Sequence, residues 1–363
     1  MTSKTILRFC LFSAAVIASV GALGVTDAGG PKFKGTWTDV TDRTLPEDFK
    51  FQGEFVGTFD NGGKLGAQVI ALGQGWFQAV LCIGGLPGDG WDGKTKILVQ
   101  GQRDGNKATF NPPTGKRKYI AQKAEEFSAT TKFPPAGQKD CSAVINGEVL
   151  KGNTNDGQKF ELKKIVRKSP TLEKKPPEGA VVLFNGTTTA AFKAGRVDKE
   201  RGILHTDGKD ITTKQKFMNY TIHLEFMLPY RPDARGQERG NSGFYNVNHY
   251  EVQILDSFGL DGKNNECGAI YQKHTPKVNM CLPPLQWQTY DIDFTNAVLD
   301  PKGKIVSNAR TSMWHNGVLI HDNIELTGKT GGASNEPVGT PGVLLIQGHG
   351  NPMQFRNIWL VEK

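Results

Sequence analysis

Short apolar runs broken at close intervals by glycine-rich turns constrain this chain more than any other feature. Asn61-Gly62-Gly63, Gly84-Gly85 and Asp104-Gly105 separate the runs 67–72, 77–83 and 97–99. Glycine and asparagine reach positive φ at little steric cost, so such punctuation marks tight turns between strands. The pattern continues through candidate strands at 181–184, 220–228, 243–247, 250–255, 289–294, 310–315, 343–347 and 354–361. Long amphipathic helical patterns are nearly absent. Many short strands spaced by turns predict an all-β chain, with two antiparallel sheets packed as a jelly-roll sandwich and one sheet face free to bind a ligand.

A length of 363 residues favours two domains. The stretch Ser-Pro-Thr-Leu-Glu-Lys-Lys-Pro-Pro-Glu-Gly at 169–179 lacks apolar periodicity and contains Pro176-Pro177, which marks a stiff linker. A small N-terminal β domain is therefore expected over 32–168 and a larger β-sandwich over 180–363. Lys4 and Arg8, followed by the apolar stretch 9–25 with small residues near its end, read as a signal peptide over 1–28. The expected location is exported, either periplasmic or extracellular. That stretch is too short and too rich in Ser and Gly for a membrane span, and no later segment could serve as one.

The formal net charge is +8, which raises the question of nucleic acid. Residues 32–178 hold 23 Lys and Arg against 17 Asp and Glu, while residues 179–363 hold 19 against 18. The basic residues lack the interleaved aromatics of a stacking groove, so no nucleic-acid partner is expected. Cys82, Cys141, Cys267 and Cys281 follow the leader, two in each half. In an oxidising compartment this predicts one disulfide per half, although four cysteines allow three pairings.

All seven histidines (His205, His223, His249, His274, His315, His321 and His349) fall after residue 200. Acid–base and metal-ligand capacity is thus confined to the second half. Strand alternation puts Glu251 and Gln253 on one face and Tyr250, Val252 and Ile254 on the other; Asp256 is out of phase with Glu251 unless a bulge re-aims it. His223 and Glu225 share a face at a spacing that suits a divalent metal ion. His349 stands between two glycines that permit close approach of backbone and substrate. Asn241 and Tyr245 flank Gly243, and Arg356 offers a fixed fork of donors. No phosphate-binding loop, dinucleotide fingerprint or nucleophile elbow is present, so no nucleotide cofactor is expected.

Several motifs follow one another in a recognisable order: L-F-N-G from Leu183, L-E-F from Leu224, R-G-N-S-G-F-Y from Arg239, Y-E-V-Q-I-L-D-S from Tyr250, C-G-A-I-Y from Cys267, W-Q-T-Y-D-I from Trp287, W-H-N-G-V from Trp314 and G-H-G-N-P-M-Q-F-R-N-I-W from Gly348. Over about residues 179–363 the chain resembles the 3-keto-disaccharide hydrolase domain family, a concanavalin-like sandwich distantly similar to laminarinase-type glycoside hydrolases. The resemblance implies an enzyme that eliminates the aglycone from a glycoside already oxidised to a ketone at C3 and then hydrates the 2-hydroxy-glycal. The implied partners are an oligosaccharide or glycoside substrate and a separate sugar 3-dehydrogenase that supplies the ketone. Against that chemistry, Glu251 and His349 are the expected acid–base pair, and Glu225, Asn241, Tyr245, Gln253, Asp256 and Arg356 the expected substrate-binding residues. Gln253 stands where a laminarinase-type hydrolase has an Asp, which counts against a two-carboxylate retaining mechanism. A lectin-like, non-catalytic module and a conventional laminarinase-type hydrolase are the alternatives.

Overall fold

The computed structural model describes residues 33–363, and the signal-peptide reading lies outside them. The described chain is all-β, with three short 3-10 turns as its only helical elements. Among the described residues no helix is long and apolar enough to cross a membrane.

Eight antiparallel strands form a closed barrel, running in sequence order from Gly53–Phe59 to Lys159–Ile165, with the last pairing back onto the first. Alternation divides its side chains cleanly. Phe77, Ala79 and Leu81 fill the interior with Phe55, Val69, Phe110 and Leu162, whereas Val80, Cys82 and Leu98 point outward. Closure leaves no unpaired edge.

Beyond the barrel, a concanavalin-like jelly-roll sandwich is built from two sheets. The larger has eight strands, with Tyr220–Met227 between Trp287–Thr295 and Gln354–Glu362. The smaller runs in the order Ile211–Phe217, Gly342–Ile346, Ser242–Asn246, Tyr250–Ile254. Ile222, Leu224 and Phe226 of the larger sheet and Phe244, Val252 and Ile254 of the smaller face one another in a single buried core. Each such side chain contributes about 1.5–3 kcal/mol through burial.

The barrel's outward Ile70, Leu72, Val80, Cys82 and Leu98 belong to that same core. Polar ties reinforce the junction. Arg235 Nη2 donates to Leu72 O (2.6 Å), Arg239 to Ala71 O (3.1 Å) and Lys96 Nζ to Asp261 Oδ1 (2.9 Å), while Tyr119 of the barrel hydrogen-bonds Glu266 of the sandwich. The connecting segment crosses the outer face of the larger sheet. Ser169 Oγ lies 2.6 Å from Thr289 Oγ1, Thr171 Oγ1 donates to Asp291 (2.6 Å), and the Glu173 N–H donates to Glu225 (2.5 Å).

The disulfide expectation requires correction. Cys82, Cys141, Cys267 and Cys281 are all free and buried. Cys82 looks out of the barrel wall toward the sandwich and Cys141 looks into the barrel, so the wall separates them. Cys267 and Cys281 are neighbours with free thiols that hydrogen-bond each other, and Cys267 also lies 3.1 Å from the Tyr290 hydroxyl.

Candidate functional site

Alternation on Tyr250–Ile254 determines what the smaller sheet presents. Tyr250, Val252 and Ile254 are in the core, so Glu251 and Gln253 lie on the sheet's outer face. Glu251 pairs across the sheet with Tyr245, and Gln253 with Gly243. A Cβ at position 243 would come within 2.4 Å of Glu251 Oε1, so the glycine makes room for the carboxyl group.

Glu251 is only 3% exposed. The Tyr245 hydroxyl donates to its Oε2 at 2.8 Å, and Gln347 Nε2 approaches that hydroxyl at 3.4 Å. The loop at 330–331 closes one side: Thr330 Oγ1 accepts from the Glu251 N–H (2.9 Å), and the Gly331 carbonyl lies 3.1 Å from the Tyr245 hydroxyl. Burial raises the Glu251 carboxyl, the Tyr245 hydrogen bond lowers it in part, and the net value is about 7. Burial and the adjacent carboxylate push the Tyr245 phenol well above its ordinary value, which keeps it protonated. A carboxyl group raised toward neutrality beside a hydroxyl donor is suited to moving a proton to and from carbon.

The neighbouring amides are fixed. Gln253 Nε2 donates to Asn241 Oδ1 (2.7 Å) and Ser242 O (3.0 Å), Asn241 Nδ2 donates to Gln237 Oε1 (3.2 Å), and Gln237 Nε2 donates to Asn265 O (2.8 Å). Glu251, Tyr245, Gln253 and Asn241 are thereby brought together.

His349 makes no hydrogen bond to Glu251. Its side chain is exposed and, among the described residues, makes no hydrogen bond; it sits at φ +46° just past Gln347, which is the residue of that loop that reaches the site. Asp256 pairs with Arg239 (Nε to Oδ2 2.7 Å), whose guanidinium continues to the barrel carbonyl of Ala71. It serves the junction.

His223, Glu225 and Arg356 stand on the opposite side of the molecule. Ile222, Leu224 and Phe226 face the core, so the intervening His223 and Glu225 take the outer face of the larger sheet. His223 Nδ1 lies 2.8 Å from Asp291 Oδ1 and its Nε2 3.4 Å from Glu225 Oε1. Glu225 also accepts from Arg356 Nε (2.7 Å), Asn357 Nδ2 (2.9 Å) and the Glu173 N–H. Burial opposes charge on both residues, but hydrogen bonds to Asp291 and Glu225 raise the His223 pKa, and those from His223, Asn357 and Glu173, with the Arg356 charge, lower that of Glu225. These residues do not fit a divalent cation, because their ligating atoms are engaged and a guanidinium already supplies the positive charge. Arg356 also lies over the Trp287 ring at 4.3 Å.

Two residues not singled out from the sequence join the Glu251 side. Asp210 accepts from the Gly348 N–H (2.9 Å), and the backbone of Tyr271 donates to Glu251 O (3.0 Å). The charge of Asp210 and the phenol of Tyr271 both act on Tyr245. Tyr271 closes the C-G-A-I-Y motif, whereas nothing local in the sequence marks Asp210.

A protonatable carboxyl group and fixed amides on the outer face of the smaller sheet make a polar site, while the sandwich by itself names no substrate. The chain belongs to the 3-keto-alpha-glucoside-1,2-lyase-like domain family, whose model matches residues 179–361. Two solved structures from Parabacteroides distasonis ATCC 8503, both provisionally described as glycosyl hydrolases, are similar to it. One is 29% identical, covering 52% of this chain and 85% of its own, with a TM-score of 0.47. The other is 20% identical, covering 54% and 100%, with a TM-score of 0.39. No curated protein matches the chain.

Proposed function

We propose that this protein cleaves 3-keto-glycosides by elimination across C1–C2 followed by hydration, with Glu251 as the base. The observation that carries this reading is a buried carboxyl group that accepts from the Tyr245 hydroxyl at 2.8 Å, is paired with no cation among the described residues, and is raised by burial to about 7. A ketone at C3 acidifies the proton on C2. Glu251 takes that proton, the electron pair moves into the C1=C2 double bond through an enolate at O3, and the C1–O bond breaks. Tyr245, held in its protonated form, supplies a hydrogen bond to the charge that develops. The departing oxygen takes its proton from solvent or from the exposed His349, two residues beyond Gln347. In the second step Glu251, its proton exchanged with solvent after elimination, protonates C2 while water adds its OH at C1 and passes its remaining proton back to the donor that served the leaving group, so the net change is hydrolysis.

Gln253 and Asn241 orient sugar hydroxyls in this scheme. A separate 3-dehydrogenase supplies the ketone, since the chain has no dinucleotide fingerprint, and the leader at 1–28 directs export. The test is NMR in D2O with a 3-keto-glucoside and its unoxidised parent. Cleavage of the keto-sugar alone, with deuterium at C2 of the product, is expected. Binding of either sugar without cleavage would replace the enzyme reading with a lectin, and cleavage of the parent would replace it with a conventional hydrolase.

A further inference from the structure

The outer wall of the barrel has two regions of opposite character. Val80, Cys82 and Leu98 are sealed against the sandwich, while a cleft of about 430 Å³ opens where the same strands turn polar. Its floor follows from strand register. Trp76 pairs across the sheet with Gln102 and Gln102 with Thr109, and in the next row Gln100 pairs with Asn111. All five lie on the outward face, since the alternating Phe77, Val99, Ala108 and Phe110 fill the barrel.

The cleft has both fixed and uncommitted groups. Gln100 Nε2 donates to Ala124 O (3.1 Å) and its Oε1 accepts from Arg117 Nη1 (2.9 Å), while Arg117 Nε donates to Thr114 O (3.1 Å). This wall is held in place before any ligand arrives. Among the described residues the indole N–H of half-buried Trp76, by contrast, has no acceptor, and the side chains of exposed Gln102, Thr109 and Asn111 make no hydrogen bond. The charges nearby are Lys116 and Arg117 against Glu125 and Glu126. They cancel, so the cleft offers no net attraction to an anion.

We infer that this cleft is a second carbohydrate site, one that holds a neutral saccharide segment on the barrel, apart from Glu251. A partly exposed indole is matched by the C–H face of a pyranose, and uncommitted amides and a hydroxyl are matched by its hydroxyl groups. The volume falls within the range of small-ligand sites. This cleft does not depend on the reading of Glu251 as a base.

The experiment is isothermal titration of the full chain with unoxidised tetrasaccharides of glucose in α-1,4, β-1,4 and β-1,3 linkage, in the wild type, Glu251→Gln and the double variant Gln102→Ala/Asn111→Ala. Both cleft substitutions lie at exposed positions, so folding is preserved, and Trp76→Phe provides an independent second variant. Binding of at least one tetrasaccharide is expected, intact in Glu251→Gln and weakened about tenfold or more when two hydrogen-bonding amides are lost. Cleavage of a soluble 3-keto-glucoside should be unchanged in the cleft variants. Absence of binding to every tetrasaccharide, or binding indifferent to both cleft variants, would overturn the inference; so would displacement by inorganic phosphate, which would make the cleft an anion site. A wild type that binds through the cleft but cleaves no keto-glucoside would refute the proposed activity and leave this site standing.

Discussion

Replacing Glu251 by Gln should stabilise the protein while abolishing its activity, and the gain should depend on pH in a defined way. In the folded state the carboxyl titrates at about 7, against 4.5 when unperturbed. Below about pH 4 both folded and unfolded chains carry the proton, so burial of this group has no ionisation cost. As pH rises through 4.5 the unfolded chain ionises first, and stability falls until the folded group ionises near 7. Above that the cost is constant, at about 3 kcal/mol from the interval between the two values. Glutamine keeps an oxygen that accepts from Tyr245 and has no proton to lose. Urea denaturation of wild type and variant should therefore give matching stabilities near about pH 4 and diverge in favour of the variant by up to about 3 kcal/mol near about pH 8. The same substitution should reduce keto-glucoside cleavage by on the order of 10²–10⁴-fold. Parallel stability curves across this range, or a variant less stable than the wild type at high pH, would refute the argument that Glu251 is buried without a compensating charge.

Tyr245→Phe removes the hydrogen bond that lowers the Glu251 pKa, so the acid limb of the kcat/KM profile should move to higher pH. kcat should fall by on the order of 10²-fold, the scale for loss of one preorganised donor; an unmoved limb would separate Tyr245 from the base. Arg239→Ala leaves Asp256 buried without its partner and removes the tie to Ala71, which should cost about 3–5 kcal/mol in denaturant titration. Exhaustive dialysis against a chelator should leave keto-glucoside cleavage unchanged, because the ligating atoms of His223 and Glu225 are engaged by Asp291, Arg356 and Asn357. Loss of activity restored by one divalent ion would show a metal bound elsewhere or a rearranged network.

Strand positions were the most legible part of the molecule. Tyr220–Met227 and Tyr250–Ile254 lie within a residue of where turn punctuation and alternation place them, because period two is imposed locally by the pleat. Alternation also says which side chains leave the core, but not from which sheet. Glu225 and Glu251 both read as outward, yet they emerge on opposite faces because their strands belong to different sheets. Asp210 and the 330–331 loop reach the Glu251–Tyr245 pair from distant turns, and nothing local in the sequence marks them. The cysteines misled for a related reason: a count cannot show that a barrel wall stands between Cys82 and Cys141.

The shared core has a consequence for biosynthesis. The barrel is complete in sequence at Ile165, yet Ile70, Leu72, Val80, Cys82 and Leu98 on its wall belong to a core whose larger part is translated afterwards. Synthesis of the remaining chain takes roughly 10–40 s at ribosomal rates of about 5–20 residues per second. For that interval the nascent protein displays a finished barrel with a greasy flank, a surface that a holdase would recognise and that a ribosome stalled after the barrel would leave permanently sticky.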